Sequence, residues 1–303
     1  MKPLQLVTPL IQFQSFSSNN VFIKLEGMNL YGSAKDRAAN YVINKLWKLK
    51  EINKNTEIVE SSSGNMGIAL AAVCQRNKLK CTIFIDKSIT PINEFLIKSY
   101  GAKTIKATKC DKNGSYLINR INLLKEYINN RKNIYWFNQY GNPYVVEAYE
   151  KNLGQEIINQ MPHIDYVFVA VSSGGTICGI SKALHGYDEK IKIIAVDVEG
   201  SKLFNEKSKL KKTFTGIGSS TKSINFKKAI FEDYIIVDEK TSKKELLSTL
   251  KNEQLFLGES SGCVIAGARS FINKNKIKNK NIILISHDKG DRYFDVLYKT
   301  KGE

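Results

Sequence analysis

The feature that most constrains this chain is an alternation. Short runs rich in β-branched residues recur at Val21–Leu25, Glu57–Glu60, Cys81–Asp86, Lys103–Ala107, Tyr166–Val171, Lys192–Asp197, Tyr234–Val237 and Asn281–His287. Between them lie amphipathic stretches at Asp36–Lys50, Met66–Asn77, Ser115–Asn129, Pro143–Gln160, Thr176–Leu184, Ser242–Asn252 and Gly262–Lys274. Most of the short runs are apolar throughout, which suits parallel strands covered on both faces. Strand followed by helix along the whole length predicts a doubly wound α/β architecture. At 303 residues the chain is long enough for two such αβα domains. The best-placed boundary lies near Tyr140–Pro143, separating a domain 1–140 from a domain 141–303 with a cleft between their sheets.

Composition removes several classes. No apolar run approaches the ~18 residues that cross a bilayer, and Met1–Phe16 lacks a basic-then-apolar signal pattern, so a cytoplasmic protein is expected. Cys74, Cys81, Cys110, Cys178 and Cys263 are odd in number and lack metal-ligand spacing, and only His163, His185 and His287 supply imidazoles. Reduced thiols and no metal site are expected. The net charge of +17 reads as scattered lysine rather than a nucleic-acid footprint. Its densest stretches, Lys207–Lys212 and Lys274–Lys280, have no aromatic interleaving. Small-molecule partners are expected, with no nucleic acid and no membrane.

Four glycine-bearing loops carry the chemistry. Val171-Ser172-Ser173-Gly174-Gly175-Thr176 follows an apolar strand and opens a helix, where free N–H groups face an anion. It is neither GxGxxG nor a GxxxxGK[ST] loop, so a single phosphate suits it better than a nucleotide, and a plain strand–helix turn stays open. Ser61-Ser62-Ser63-Gly64-Asn65-Met66-Gly67 offers hydroxyls and N–H groups suited to a carboxylate, or an ordinary N-cap. Gly258-Glu259-Ser260-Ser261-Gly262 precedes a small-residue helix. Gly32-Ser33-Ala34-Lys35-Asp36-Arg37 places a lysine near the positive end of a helix dipole, where a neutral amine is favoured; taken alone, Lys35 reads as a surface charge.

Together and in this order, the loops resemble the fold-type II pyridoxal-phosphate (PLP) family that contains cysteine synthase and cystathionine β-synthase. The resemblance runs from Thr8-Pro9-Leu10 to Gly290-Asp291-Arg292-Tyr293, through Lys-Leu-Glu-Gly-Met-Asn at 24–29, Ser-Gly-Asn at 63–65, Gly-Gly-Thr at 174–176 and Gly-Ile-Gly at 216–218. It implies two αβα domains with pyridoxal 5'-phosphate in the cleft between them. Lys35 is then the Schiff-base lysine and general acid/base, and Asn65 bonds the ring oxygen. Ser172, Gly174, Gly175 and Thr176 cradle the phosphate, and Ser260 faces the pyridine nitrogen. Ser62, Ser63 and Gln139 hold the substrate α-carboxylate, with Gly216 also at the substrate; at Ser62 cysteine synthases usually carry Thr. The implied reaction is β-replacement through an α-aminoacrylate, in a homodimer.

Within the family, Asn113–Arg120, Tyr135–Tyr140, Val196–Ser201 and Gly290–Tyr293 are most similar to N-(2-amino-2-carboxyethyl)-L-glutamate synthases, which join O-phospho-L-serine to L-glutamate for siderophore precursors. Arg120, Tyr140 and Ser172 match substrate-contacting positions there. Arg120 would bind the leaving phosphate, or serve as a helix-surface cation. The alternatives are a cysteine synthase or a sulfide-releasing cysteine lyase, and, in another class, a catalytically silent binding partner. A lyase that adds water wants a carboxylate near the Gly216–Gly218 loop. Ser219-Ser220-Thr221-Lys222 supplies none, and Glu232 and Asp233 lie further along.

Overall fold

A computed structural model describes residues 6–110, 116–129, 131–210 and 212–298. Asn113–Ser115 of the stretch ending at Arg120, the arm 1–5 and Lys211 lie outside the described residues. The elements, in chain order, are β1 (Leu10–Gln12), β2 (Asn20–Leu25), α1 (Lys35–Lys48), β3 (Glu57–Ser61), α2 (Asn65–Arg76), β4 (Lys80–Asp86), α3 (Pro91–Ser99) and β5 (Lys103–Ala107). There follow α4 (Leu117–Asn129), β6 (Ile134–Trp136), α5 (Pro143–Ala148), a π-helical turn (Tyr149–Gly154), α6 (Gln155–Gln160), β7 (Tyr166–Ala170), α7 (Gly175–Tyr187) and β8 (Lys192–Val198). The chain closes with α8 (Ile224–Lys227), β9 (Asp233–Val237), α9 (Glu239–Glu253), α10 (Glu259–Lys274) and β10 (Asn281–Ser286). Among these described residues no helix is long and apolar enough to cross a membrane.

Contacts divide the chain into two units, and the division is not a single cut. Residues 35–145 form one unit, whereas Leu6–Ala34 join 146–298 in the other. The boundary expected near Tyr140–Pro143 therefore marks only one of the two crossings. The reason is strand pairing: β2 runs parallel to β10, matching Val21 to Ile282 and Ile23 to Leu284, and β1 pairs antiparallel with β2. Val21 and Ile23 are thereby buried in the core formed by the C-terminal strands.

The first unit holds a four-stranded parallel sheet in the order β5-β4-β3-β6. Val59 and Phe84 on one face meet Leu124 of α4. On the other face Gly67 brings α2 close, since a Cβ there would lie 3.1 Å from Ile83 Cγ2. The apolar strands follow from burial on both sides. The second unit holds a six-stranded sheet, β1-β2-β10-β7-β8-β9, parallel but for β1. Helix α10 packs across β7 to β10 and is buried from Glu259 to Ala268.

The Thr8 and Lys24–Glu26 motifs brace the second unit. Lys24 is wholly buried and donates to Glu156, to Thr8 O and to Gln160 Oε1, while Thr8 Oγ1 donates to Glu26 Oε1 at 2.6 Å. A buried ammonium is tolerable there only because each proton meets an oxygen.

Candidate active site

In the first unit the expected substrate residues converge at the C-terminal ends of adjacent parallel strands, the usual place for ligand loops in α/β sheets. The Ser61–Asn65 loop leaves β3 and enters α2 at Asn65, with Gly64 as its N-cap. Ser62 is buried; its N–H donates to Phe84 O and its Oγ accepts from Gly64 N. Ser63 Oγ is occupied by protein: it donates to Asp86 Oδ2 at 3.0 Å and accepts from Asp86 N and from Arg120 Nη1. Of the expected carboxylate donors, the Ser63 hydroxyl is thus already committed within the unit.

Arg120 comes from α4 and is buried. Its Nη1 donates to Asp86 Oδ2 at 2.7 Å, whereas its Nε meets no acceptor among the described residues. Asp86 Oδ1 also accepts from Ser88 N and Oγ. Beyond β6, Asn138 takes a left-handed φ of 51°, which Asn tolerates, and turns the chain so that Gln139 is buried. Gln139 N donates to Glu60 Oε2 at 2.9 Å, and its Nε2 reaches Ser61 O at 3.4 Å. Glu60 also accepts from Ser61 N, so one wholly buried carboxylate ties the β3 loop to Gln139. Burial pushes its pKa up to about 7, against those two N–H bonds and the charge of Arg120. Tyr140 follows; burial raises its phenol, with Arg120 opposing. Lys35, half-buried, is the first residue of α1.

In the second unit the backbone just before Lys35 is held at both polar groups of Ala34, whose N–H donates to His287 O and whose O accepts from Tyr149 Oη. Ser172 to Thr176 form the turn from β7 into α7. Gly174, the N-cap, has φ +79°, and a Cβ on it would come within 2.3 Å of Phe226 Cα, so only glycine fits. No side chain caps this helix, which leaves the first-turn N–H groups directed outward, as a phosphate requires. Ser172 Oγ donates to Gly218 O, and Gly218 N to Val171 O at 2.7 Å, which joins this turn to the Gly216–Gly218 loop. Ser260, buried in the first turn of α10, brings a hydroxyl and no charge. Uncharged hydroxyls and amides at a glycine-cradled helix start are a donor set that fits the phosphate of PLP.

Sequence reasoning assigned no role to several buried acids, among them Glu60, Asp86, Asp197 and Glu259. Three of these sit in the last residues of largely buried parallel strands, in EIVES, KCTIFID and KIIAVDV. An acid ending a run built for burial was the available signal. Glu259 also alters one expectation. Its Oε2 accepts from Gly216 N at 3.0 Å, so a carboxylate does stand at the Gly216–Gly218 loop, delivered by α10. Glu232 instead lies just before β9 and accepts from Ile193 N at the start of β8, and Asp233 is exposed at the start of β9.

Known proteins share this fold. The sequence profile described as "Pyridoxal-phosphate dependent enzyme" matches residues 1–288. The chain is similar to a cysteine synthase from Entamoeba histolytica, at 27% identity over 99% of this chain and 90% of that one, with a TM-score of 0.90. It is similar to an O-acetylserine dependent cystathionine beta-synthase from Helicobacter pylori, at 25% identity over 96% of each chain and a TM-score of 0.88. It is also similar to a hydrogen sulfide-producing enzyme from Fusobacterium nucleatum, at 28% identity over 99% of this chain and 91% of that one, with a TM-score of 0.87.

Proposed function

The chain belongs to the family of pyridoxal-phosphate dependent enzymes, and from that premise we propose that it performs β-replacement, joining O-phospho-L-serine to L-glutamate. The products are N-(2-amino-2-carboxyethyl)-L-glutamate, a siderophore precursor, and phosphate. Lys35 and Asn65 hold the cofactor, with Ser172, Gly174, Gly175, Thr176 and Ser260. Bound there, the cofactor supplies the electron sink for bond breaking at the substrate Cα and Cβ. Lys35 Nζ takes the proton from Cα and later returns it. Ser260, unlike an aspartate, lends no negative charge at the ring nitrogen, which favours loss of the β-substituent over amino transfer. Ser62, Ser63 through its backbone, and Gln139 receive the α-carboxylate; Tyr140 and Gly216 line the substrate.

The observation that carries the donor assignment is Arg120. A buried guanidinium shares a network with the Ser61–Asn65 loop, and its Nε has no acceptor among the described residues. Phosphate oxygens are the natural partners for such a fork. A second reading, a cysteine synthase or a sulfide-releasing cysteine lyase, is favoured by Asp86, which already neutralises Arg120. We expect a cytoplasmic homodimer, to be measured by light scattering and cell fractionation.

The deciding experiment offers serine, cysteine, O-acetylserine and O-phosphoserine in turn, each with glutamate, sulfide or water, and identifies products by mass spectrometry. Phosphoserine with glutamate should give the adduct and phosphate. Turnover of cysteine with phosphoserine ignored would establish the second reading.

A further inference from the structure

The loop Lys212–Gly218 belongs to no strand or helix, so its peptide groups need partners from elsewhere. Two charged side chains supply them, one as donor and one as acceptor. Lys212 Nζ donates to Phe214 O at 2.6 Å and to Ile217 O at 3.0 Å. Glu259 Oε2 accepts from Thr215 N at 2.9 Å, Thr215 Oγ1 at 3.1 Å and Gly216 N at 3.0 Å. Phe214 and Ile217 are buried beneath the loop, while Thr215 and Gly216 remain exposed on its outer side. Charge-assisted bonds of this kind are roughly twice as strong as neutral ones.

The same carboxylate belongs to the first residue of α10, immediately before Ser260. A negative charge there is favoured by the helix dipole. Lys212 stands in the field of both Glu259 and Asp197. Asp197 Oδ1 lies 3.1 Å from where a Gly218 Cβ would be. The opposed charges thus hold the peptide at Thr215–Gly216 at a set height above Phe214 and Ile217, and bind it to the turn that presents Ser260.

We propose that Glu259, opposed by Lys212, is a positioning residue that fixes the Thr215–Gly216 peptide as a rigid wall for the amino-acid donor and locks it to the Ser260 turn. The inference rests on the reading of Gly216 and Ser260 as substrate- and cofactor-facing. Glu259 itself touches neither; it acts through the two amides it holds.

Hydrogen exchange followed by mass spectrometry tests the clamp without substrate, in the cofactor-loaded protein. In Glu259→Ala, the Thr215 and Gly216 amides should exchange about 10- to 100-fold faster, the loss expected for bonds to a charged acceptor. Amides in the middle of α10 should be unchanged. Lys212→Met, which leaves both amides their acceptor, should accelerate them less, and Glu259→Gln, which keeps an oxygen at the same reach, should recover most of the protection. With donor present, Glu259→Ala should raise KM about tenfold or more, by the same bond energies, with cofactor content unchanged.

Unchanged exchange in Glu259→Ala overturns the clamp. Uniform loss of protection across the unit makes Glu259 structural and overturns the positioning role, as does faster local exchange with KM unmoved. If Glu259→Ala does not fold, Lys212→Met tests the clamp at the same two amides, and unchanged protection there overturns it. Wild-type turnover of cysteine in place of phosphoserine would overturn the donor assignment and leave the clamp standing, because exchange needs no substrate.

Discussion

Arg120 and Asp86 are joined by a 2.7 Å contact between Nη1 and Oδ2, with side chains only 11% and 4% exposed. The pair closes on the Ser63 hydroxyl and so ties α4 and the end of β4 to the loop that opens α2. Under the proposed donor assignment, structure and recognition compete for the same guanidinium.

Arg120→Ala leaves the Asp86 carboxylate buried without its counter-ion. Removing one partner of a buried pair costs about 3–5 kcal/mol, so urea denaturation should show a loss of that size. Adding Asp86→Asn to the same chain should recover most of it.

Donor selectivity separates the two roles. In the double variant Arg120→Gln with Asp86→Asn, kcat/KM for O-phosphoserine should fall roughly 10- to 150-fold relative to O-acetylserine, as for one charged hydrogen bond. Equal losses on both donors would make Arg120 a structural residue only.

Glu60 predicts a pH dependence of stability. Burial raises its carboxyl from 4.5 to about 7, so the fold prefers the neutral form. Its contribution is complete below the unfolded value and is lost as pH rises through about 7, for a total of about 3 kcal/mol. Urea midpoints measured from about pH 4.5 to about pH 8 should show this slope, and Glu60→Gln should flatten it.

Gly174→Ala forces a Cβ at φ +79° to within 2.3 Å of Phe226 Cα. The left-handed backbone alone costs about 1–2 kcal/mol, and the clash shifts α8 or the turn. Thermal denaturation should register the loss, and titration with PLP should show weaker retention than in wild type.

Borohydride reduction of the loaded protein should add the cofactor's mass to the peptide containing Lys35. Lys35→Ala should bind PLP reversibly and carry no added mass after the same treatment. Mass on another lysine would reassign the anchor.

The alternation of apolar runs with amphipathic stretches was sufficient to place strands such as Tyr166–Ala170 and helices such as Lys35–Lys48, because burial on two faces and a 3.6-residue period are local properties; the single helix expected over Pro143–Gln160 is interrupted by the π-helical turn Tyr149–Gly154. Leu10–Gln12 and Ile134–Trp136, three residues each, are too short to show a period. Helix Pro91–Ser99 was missed, although Thr90 as N-cap and Pro91 at its first position announced it. The glycine loops were legible for the same local reason: Gly174 sits where a strand ends, a helix begins and no side chain has room.

What the sequence by itself determined is therefore the α/β class, the order of its longer elements and the places of the glycine loops. Tertiary structure alone decided that Leu6–Ala34 belong with the C-terminal unit, because the partner of Val21 is Ile282, far along the chain. It decided that the Ser63 hydroxyl is committed to Asp86 and Arg120, and that a carboxylate reaches Gly216 from α10 rather than from its own loop. Strand register and the burial of a single acid depend on which distant segments meet, and periodicity along one segment carries no record of that.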